Sequence, residues 1–301
     1  MRLPRHTLDP YADVSPVLQI GRPEVEHRFL VDVDDAARFA AVVGEHLNEE
    51  IPDRANPVNQ LVTTYFDTED RRLFHSSRQT GLGRVRIRQY AGAPTADATA
   101  VIGETCALEL KEATGESRRK ARIVATPDDI DRLLYQDGWL RDAHASAVSS
   151  MPLFRAASAI GTGILRPILT TTFRRRAWGD TDVRVTVDEG VLFAAPGGLR
   201  RPGDPAAPNG VFSRLPHCVI EVKLGISPPE WLVDAMRGHR LSERFSKYRD
   251  GLLAAQRIEA LAAAARSAPF NARTPRTTLR AFEHEPSRTG VSSVWGEPTR
   301  A

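Results

Sequence analysis

Cysteine is nearly missing from this chain. Cys106 and Cys218 are the only two in 301 residues, each inside a strand-like run, with no CxxC and no histidine at ligand spacing. That excludes a disulfide scaffold and a zinc site, and leaves both thiols as small packing groups in a reducing compartment. Long hydrophobic runs are missing too: no stretch of 18 apolar residues occurs, and the first ten residues lack a secretory core, so a soluble, cytoplasmic protein is expected. Aromatic residues make up 7% and few interleave with arginine, so base-stacking platforms and a nucleic-acid partner are not expected. Nor is there a P-loop, since Gly81-Leu82-Gly83-Arg84 lacks the lysine and the following helix. Net charge gives no lead, with 41 Lys plus Arg against 38 Asp plus Glu, a balance of +3.

What the chain has is charge placed at period two. Six stretches alternate ionised with mostly aliphatic residues: Glu24-Val25-Glu26-His27-Arg28, Arg84-Val85-Arg86-Ile87-Arg88, Leu108-Glu109-Leu110-Lys111, Phe173-Arg174-Arg175-Arg176, Arg184-Val185-Thr186-Val187-Asp188 and Ile220-Glu221-Val222-Lys223. Strand side chains point alternately to opposite sides, so each stretch has one apolar face and one carrying two or three charges. The charged face cannot be a dry core. An ordinary two-layer sheet would show it to solvent; a closed barrel with its apolar face turned outward against helices would enclose it as a wet, ionic lumen. The simplest architecture is α+β, an antiparallel β-barrel flanked by α-helices.

Between the strands, Asp34 or Asp35 can cap a helix through Ala36, Phe39, Val42, Val43 and Leu47, and Thr126-Pro127-Asp128-Asp129 starts one through Ile130, Leu133 and Leu134. Ser227-Pro228-Pro229-Glu230 opens a third, carrying Trp231, Leu232, Ala235 and Met236. An Ala- and Leu-rich fourth runs from Tyr248 to about Arg266. Residues 92–99 and 195–209 read as loops. Scattered prolines mark 1–21 as a flexible arm and 267–301 as a disordered tail around one domain, 22–266.

Two carboxylates two residues apart, Glu24 and Glu26, can reach one hard divalent cation, with Arg28 beyond them to meet a phosphate. Arg84, Arg86 and Arg88 share a strand face at steps of about 7 Å. Like charges that close are costly unless anions or water lie against them, and successive phosphates of a chain repeat on a comparable scale. Glu109 with Lys111 and Glu221 with Lys223 repeat a carboxylate-x-ammonium pattern. Four glutamates, Glu24, Glu26, Glu109 and Glu221, among many cations form a candidate ring for one or two Mg²⁺ or Mn²⁺ ions and a polyphosphate. Each pattern alone also fits a solvated sheet face or a cross-strand ion pair.

In order along about 22–255, Glu26-His27-Arg28-Phe29, Tyr65-Phe66-Asp67-Thr68, the Arg84 to Arg88 run, Leu108-Glu109-Leu110-Lys111, Phe173-Arg174-Arg175-Arg176-Ala177-Trp178, Val183-Arg184-Val185-Thr186-Val187-Asp188, Val219-Ile220-Glu221-Val222-Lys223-Leu224 and Arg244-Phe245-Ser246-Lys247-Tyr248 resemble the polyphosphate polymerase domain of the vacuolar transporter chaperone (VTC) family, within the CYTH or triphosphate tunnel metalloenzymes. The resemblance implies a tunnel that transfers the γ-phosphate of ATP to a growing polyphosphate chain. It implies phosphate contacts from Arg28, Arg84, Arg86, Arg88, Lys111, Arg175, Arg184, Lys223, Ser246 and Lys247. It also implies a metal on Glu221 and, since eukaryotic relatives place this domain beside membrane-spanning subunits, either a separately encoded membrane partner or a product that stays in the cytoplasm. Two positions depart from the family pattern: Arg28 stands where lysine is usual, and Phe173 where tyrosine is. The Glu24–Glu26 pair also fits a CYTH-type triphosphatase or ATP cyclase, and a non-catalytic polyphosphate-binding module is the third reading.

Overall fold

The computed structural model describes residues 17–19, 25–76, 84–114, 117–135, 152–225, 227–242 and 245–267. The contacts divide the chain into two units, 1–260 and 261–301. Of the second, the described part, 261–267, is helical. The expected arm and tail lie outside the described residues, apart from a short strand at Val17–Gln19 and from Ser267.

The alternating stretches do form strands. In chain order they are β1 (Val17–Gln19), β2 (Val25–Val31), β3 (Val58–Asp67), β4 (Arg84–Ala93), β5 (Val101–Thr114), β6 (Ser117–Ala125), β7 (Arg166–Gly179), β8 (Val183–Ala194), β9 (Val211–Arg214) and β10 (Cys218–Leu224). They make one antiparallel sheet in the order β1-β6-β5-β4-β3-β7-β8-β10-β2, with β9 beside β8. The expected closed barrel is not what the ladders show: the path is open, with β1 and β2 at its ends and no pairing between them among the described residues. Strand twist nevertheless curls the sheet strongly. Glu26 on β2 lies within electrostatic range of Lys111 on β5, although five strands separate them along the path.

The outward face is the apolar one, and helices cover it in two places. On one side α3 (Pro127–Tyr135) and α4 (Pro152–Gly161) bring Ile130, Leu133, Ala157 and Ile160 onto Val85, Ile87, Leu108, Leu110 and Ile123. On the other, α1 (Val33–His46) and α5 (Glu230–Met236) bring Phe39, Val43 and Leu232 onto Val185, Val187, Ile220 and Val222. Cys106 and Cys218 belong to these two cores, and burial pushes their thiols up to about 12 and about 11. They are inert packing groups.

Three helix expectations change in detail. Asp32, one residue before α1, is its cap and accepts from the Asp35 amide at 2.7 Å, so Asp34 and Asp35 fall in the first turn. Helix α5 starts at Glu230 without a side-chain cap, and its Trp231, Ala235 and Met236 pack against the core. The last helix, α6, spans Lys247–Ser267. Two helices escaped the reading: α2 (Arg72–Ser76) is too short for a period, and α4 has no acidic residue in its first turn and no basic residue in its last to announce it. Among the described residues, no helix is long and apolar enough to cross a membrane.

The inward face is divided. Part is apolar and closed by α6, where Tyr248 and Leu252 pack on Leu61, Tyr65, Leu169, Phe173, Val191, Phe193 and Val219. Gly251 permits this approach, since a Cβ there would meet Leu169 and Phe193 side-chain atoms at 2.7 Å. Gly190, at φ +61°, interrupts the β7–β8 register, and this bulge lets Asp188 and Val191, three residues apart, both face inward. The rest of the inward face is charged.

Ile130 is fully buried between α3 and the sheet. Ile130→Ala should cost about 2–5 kcal/mol, read as a lower urea midpoint at unchanged slope; a loss near zero would show that α3 does not close this core.

Candidate active site

Register fixes which charges meet. Glu221 on β10 stands opposite Arg28 on β2, and Lys223 opposite Glu26 on one side and Arg184 on the other. Across the curl, Arg84 stands opposite Lys111, and Arg86 opposite both Tyr65 and Glu109. Arg88 stands opposite Thr63, and Glu109 opposite Arg122. The described charged positions expected at the site therefore fall on one concave face. Within the β7 stretch the two arginines that share a face, Arg174 and Arg176, point outward. Arg176 lies over the Trp178 ring at 4.6 Å and pairs with Glu49, while Arg175 alone turns in.

The carboxylates are held ionised by these cations. Burial and Glu221 push Glu26 up, but Arg28 and Lys111 prevail and keep it below the usual carboxylate range. For Glu221, burial is again outweighed, here by Lys247, Arg175, Arg28 and Lys111, which hold it far below that range. Arg28 bridges the two, donating to Glu26 Oε1 and, through Nε at 3.2 Å, to Glu221 Oε1. Glu109 belongs elsewhere, bonded by Arg86 at 2.6 Å with Arg122 beside it at 3.5 Å. Among the described residues no three acidic, histidine or cysteine side chains converge on one point. Of the expected glutamates the structure brings Glu26 and Glu221 together, while Glu109, on β5, is held by Arg86 and Arg122 instead. Glu24 and Arg244 lie outside the described residues.

Three cations have no carboxylate hydrogen-bonded to them among the described residues. Arg84 donates to the Ser246 hydroxyl at 2.9 Å; Arg88 has a buried Nε with no hydrogen-bond partner; Lys111 has no hydrogen bond or ion pair. Opposite Arg88, the buried Thr63 hydroxyl is likewise unpartnered. Burial, followed by the repulsion of Arg86, brings the Lys111 ammonium down to about 7.

Three residues beyond the expected set shape the site. Asp188, with no exposed surface, accepts both prongs of Arg175 at 2.6 and 2.7 Å and the Lys247 ammonium at 2.6 Å, tying β7 and the start of α6 to β8. It lay in the quoted period-two stretch, on the same face as Arg184, and that parity was its signal. Tyr65 is buried beside Arg86. Burial pushes its phenol up, but Arg86, Arg88, Lys247 and Arg84 together draw it below its ordinary value. Glu50, which follows α1, reaches Arg184 at the rim with bonds of 2.7, 3.0 and 3.3 Å. No local pattern announced Glu50, because a non-local bridge of Glu49 to Trp178 places it there.

A model of the VTC domain matches residues 23–256, from the start of β2 into α6. The chain belongs to the VTC domain family. The match spans every strand of this VTC domain except β1 and each described residue of the concave face. Among solved structures, a Bacillus halodurans protein described provisionally as an adenylate cyclase is similar at 14% identity, covering 80% of this chain and 89% of its own, with a TM-score of 0.37. A Vibrio parahaemolyticus protein with the same provisional description has 16% identity over 81% and 88%, with a TM-score of 0.33. Scores this low leave the family assignment resting on the domain match. No curated protein sequence matches.

Removing a single charge from a buried ionic cluster strands its partners. Asp188→Asn in the VTC domain should cost about 3–5 kcal/mol at neutral pH, measured by chemical denaturation. Burial pushes Asp188 up, but Arg175 and Lys247 hold its folded-state pKa below the ordinary value. Its stabilisation is therefore complete above the unfolded pKa of about 4 and is lost as pH falls further. The wild-type advantage over Asp188→Asn should shrink below about pH 4; a gap that persisted unchanged to pH 2 would show that the carboxylate is not the source.

Proposed function

We propose that the concave face binds ATP and an inorganic polyphosphate chain within a tunnel completed by substrate and the curled sheet, and moves the γ-phosphoryl group of ATP onto the chain end. The observation that carries this reading is the surplus of buried positive charge. Arg84, Arg88 and Lys111 stand close together with no carboxylate bonded to them among the described residues, while every described acidic side chain of the face already has a cation. Such a cluster is costly unless anions or water lie against it, and a row of phosphates matches its sign. Family membership supports phosphotransferase chemistry in the same place.

In the reaction, a terminal oxygen of the chain attacks the γ-phosphorus in line, the bond from that phosphorus to the β–γ bridging oxygen breaks, and ADP leaves with the electron pair. The attacking oxygen is already anionic, so no general base is assigned. Arg86, Arg88, Arg175 and Lys111 hold and neutralise the phosphoryl oxygens; Arg28, Arg84, Ser246 and Lys247 position the neighbouring phosphates, with Arg184 and Lys223 toward the rim. Asp188 acts through Arg175 and Lys247.

A divalent Mn²⁺ or Mg²⁺ fits the Glu26–Glu221 pair. Both carboxylates are kept ionised on adjacent strands, and such ions take one or two carboxylates together with substrate phosphate oxygens. When bound it would add positive charge to the β and γ phosphates. A cytoplasmic setting and a separately encoded membrane partner complete the proposal, carried by the family resemblance alone.

Incubation of the purified protein with ATP and Mn²⁺ or Mg²⁺ tests it: long chains on a polyphosphate-stained gel with matching ADP are expected. Free phosphate without chains would instead mean a triphosphatase, and neither product a binding module. Glu221→Gln should abolish metal-dependent turnover while tripolyphosphate still binds; unchanged turnover would remove the metal from this residue.

Lys111 supplies a readout that needs no turnover. With its pKa near 7 in the free protein it is mostly neutral at pH 8.5, and a bound phosphate restores its charge. Tripolyphosphate binding at that pH should take up close to one proton, about as much as linkage allows for a single site. Calorimetry in two buffers of different ionisation enthalpy measures it, and Lys111→Gln should abolish it. Equal heats in both buffers for the wild type would contradict the assignment.

A further inference from the structure

The rim of the concave face contains an anion that belongs to the protein. Residues 48–50 lie along the end of β7 where β3 no longer reaches: the Glu50 amide donates to the Ala177 carbonyl at 2.7 Å, the Gly179 amide to the Asn48 carbonyl at 3.3 Å, and Glu49 bridges to Trp178. This short extended run sends its two glutamates to opposite faces. Glu49 goes outward to Arg176, with bonds of 2.9 and 3.2 Å. Glu50 goes to Arg184, whose Nε and Nη2 both grip the carboxylate, the nearest oxygen at 2.7 Å.

The carboxylate lies close over Gly179, where a Cβ would meet Glu50 Oε1 at 2.9 Å and the Val183 carbonyl at 3.3 Å. The hydrogen bond from Arg184 is the leading cause that keeps Glu50 below the usual carboxylate range, and Arg175 adds to it from deeper in the site. Glu50 is 41% and Arg184 44% exposed, so the pair stands in solvent at the edge where a ligand from outside first meets the face.

A guanidinium presents one fork well suited to a planar bidentate anion, and phosphate and carboxylate compete for it. We propose that Glu50 is a specificity-determining residue, an internal competitor that occupies Arg184 until a phosphoryl group of the ligand displaces it. This rests on the reading that the face takes a phosphate chain. Its consequence is selective: Arg184 contributes only to ligands that carry enough charge to outbid a tethered carboxylate, and the mouth of the site holds anions less tightly than its deeper cations do. Arg184 differs in this from Arg88 and Lys111, to which no carboxylate is bonded among the described residues.

The test titrates tripolyphosphate into the wild type, Glu50→Gln and Glu49→Gln by calorimetry at low salt without ATP. The two variants remove the same charge from adjacent residues on opposite faces, so overall charge cancels from the comparison. Glu50→Gln should bind about two- to fivefold tighter, the range expected when an exposed ion pair is removed from competition, and Glu49→Gln should match the wild type. Wild-type binding with no gain in Glu50→Gln, or an equal gain in Glu49→Gln, overturns the proposal alone. Absence of wild-type binding overturns the phosphate-chain reading and this proposal with it.

Discussion

A row of arginines on one side of a strand is the constraint from which most of this structure follows. Arg84, Arg86 and Arg88 repel one another, and the repulsion strengthens as the surroundings become less polar. The protein answers it unevenly. Arg86 receives Glu109, and across the sheet Arg175 and Lys247 share Asp188 while Arg28 holds Glu26 and Glu221. Fixed counter-charges thus neutralise the flanks. Arg84, Arg88 and Lys111 are left to polar contacts, water or ligand. The folded state tolerates this surplus partly by lowering the proton affinity of Lys111, which sheds charge when nothing is bound. Partial neutralisation is what a binding face needs, because full pairing would leave no attraction for a ligand and none at all would oppose folding.

The same constraint inverts the usual sheet. Since the charged side must stay wet, the apolar side has to be the dry one, and helices cover it from outside in two separate cores. Curling brings strands remote in the path to face each other, so β2 and β5 share one electrostatic neighbourhood without sharing a ladder. Helix α6 serves both halves of the inward face. Its first residue, Lys247, enters the ionic cluster, while Tyr248 packs in the apolar part and donates its hydroxyl to Asp67, which also accepts amides at the start of α2. One turn of helix therefore joins the charged and dry regions.

Much of this was legible because period two is a strong code. The alternation in Arg84 to Arg88 and in Ile220 to Lys223 states both strand and face, and register then places Glu221 against Arg28 without further assumption. Closure was not legible: whether a curled sheet zips its ends depends on hydrogen bonds between distant edges, which no local pattern encodes. The grouping of the glutamates was only partly legible for a related reason. Parity says Glu26, Glu109 and Glu221 share a face, but only the pairing register decides that Glu109 stands between Arg86 and Arg122. Glu50 was invisible because its position depends on a bridge to a strand more than a hundred residues away. Arg174 and Arg176 show the opposite failure, a period-two charged pair that points outward, where Trp178 and Glu49 offer Arg176 a ring and a carboxylate and Arg174 donates to the Ala96 carbonyl.

The two departures from the family pattern are best understood together. Lysine at position 28 would be a point charge able to sit near one carboxylate; the planar fork of Arg28 donates to Glu26 and Glu221 at once, and also reaches the Phe245 carbonyl at 3.2 Å. It therefore sets the spacing of the carboxylate pair as well as its charge. At position 173, a tyrosine hydroxyl would add one polar contact, whereas the Phe173 ring lies within 4.6 Å of the Lys247 ammonium and 5.4 Å of the Arg175 guanidinium. An aromatic face attracts cations without removing their charge. Asp188 grips the same two cations from their other side, so Arg175 and Lys247 are oriented by a ring and a carboxylate before any phosphate arrives. Each departure therefore tightens the control of the charged groups around it: Arg28 holds two carboxylates, and Phe173 lies against two cations.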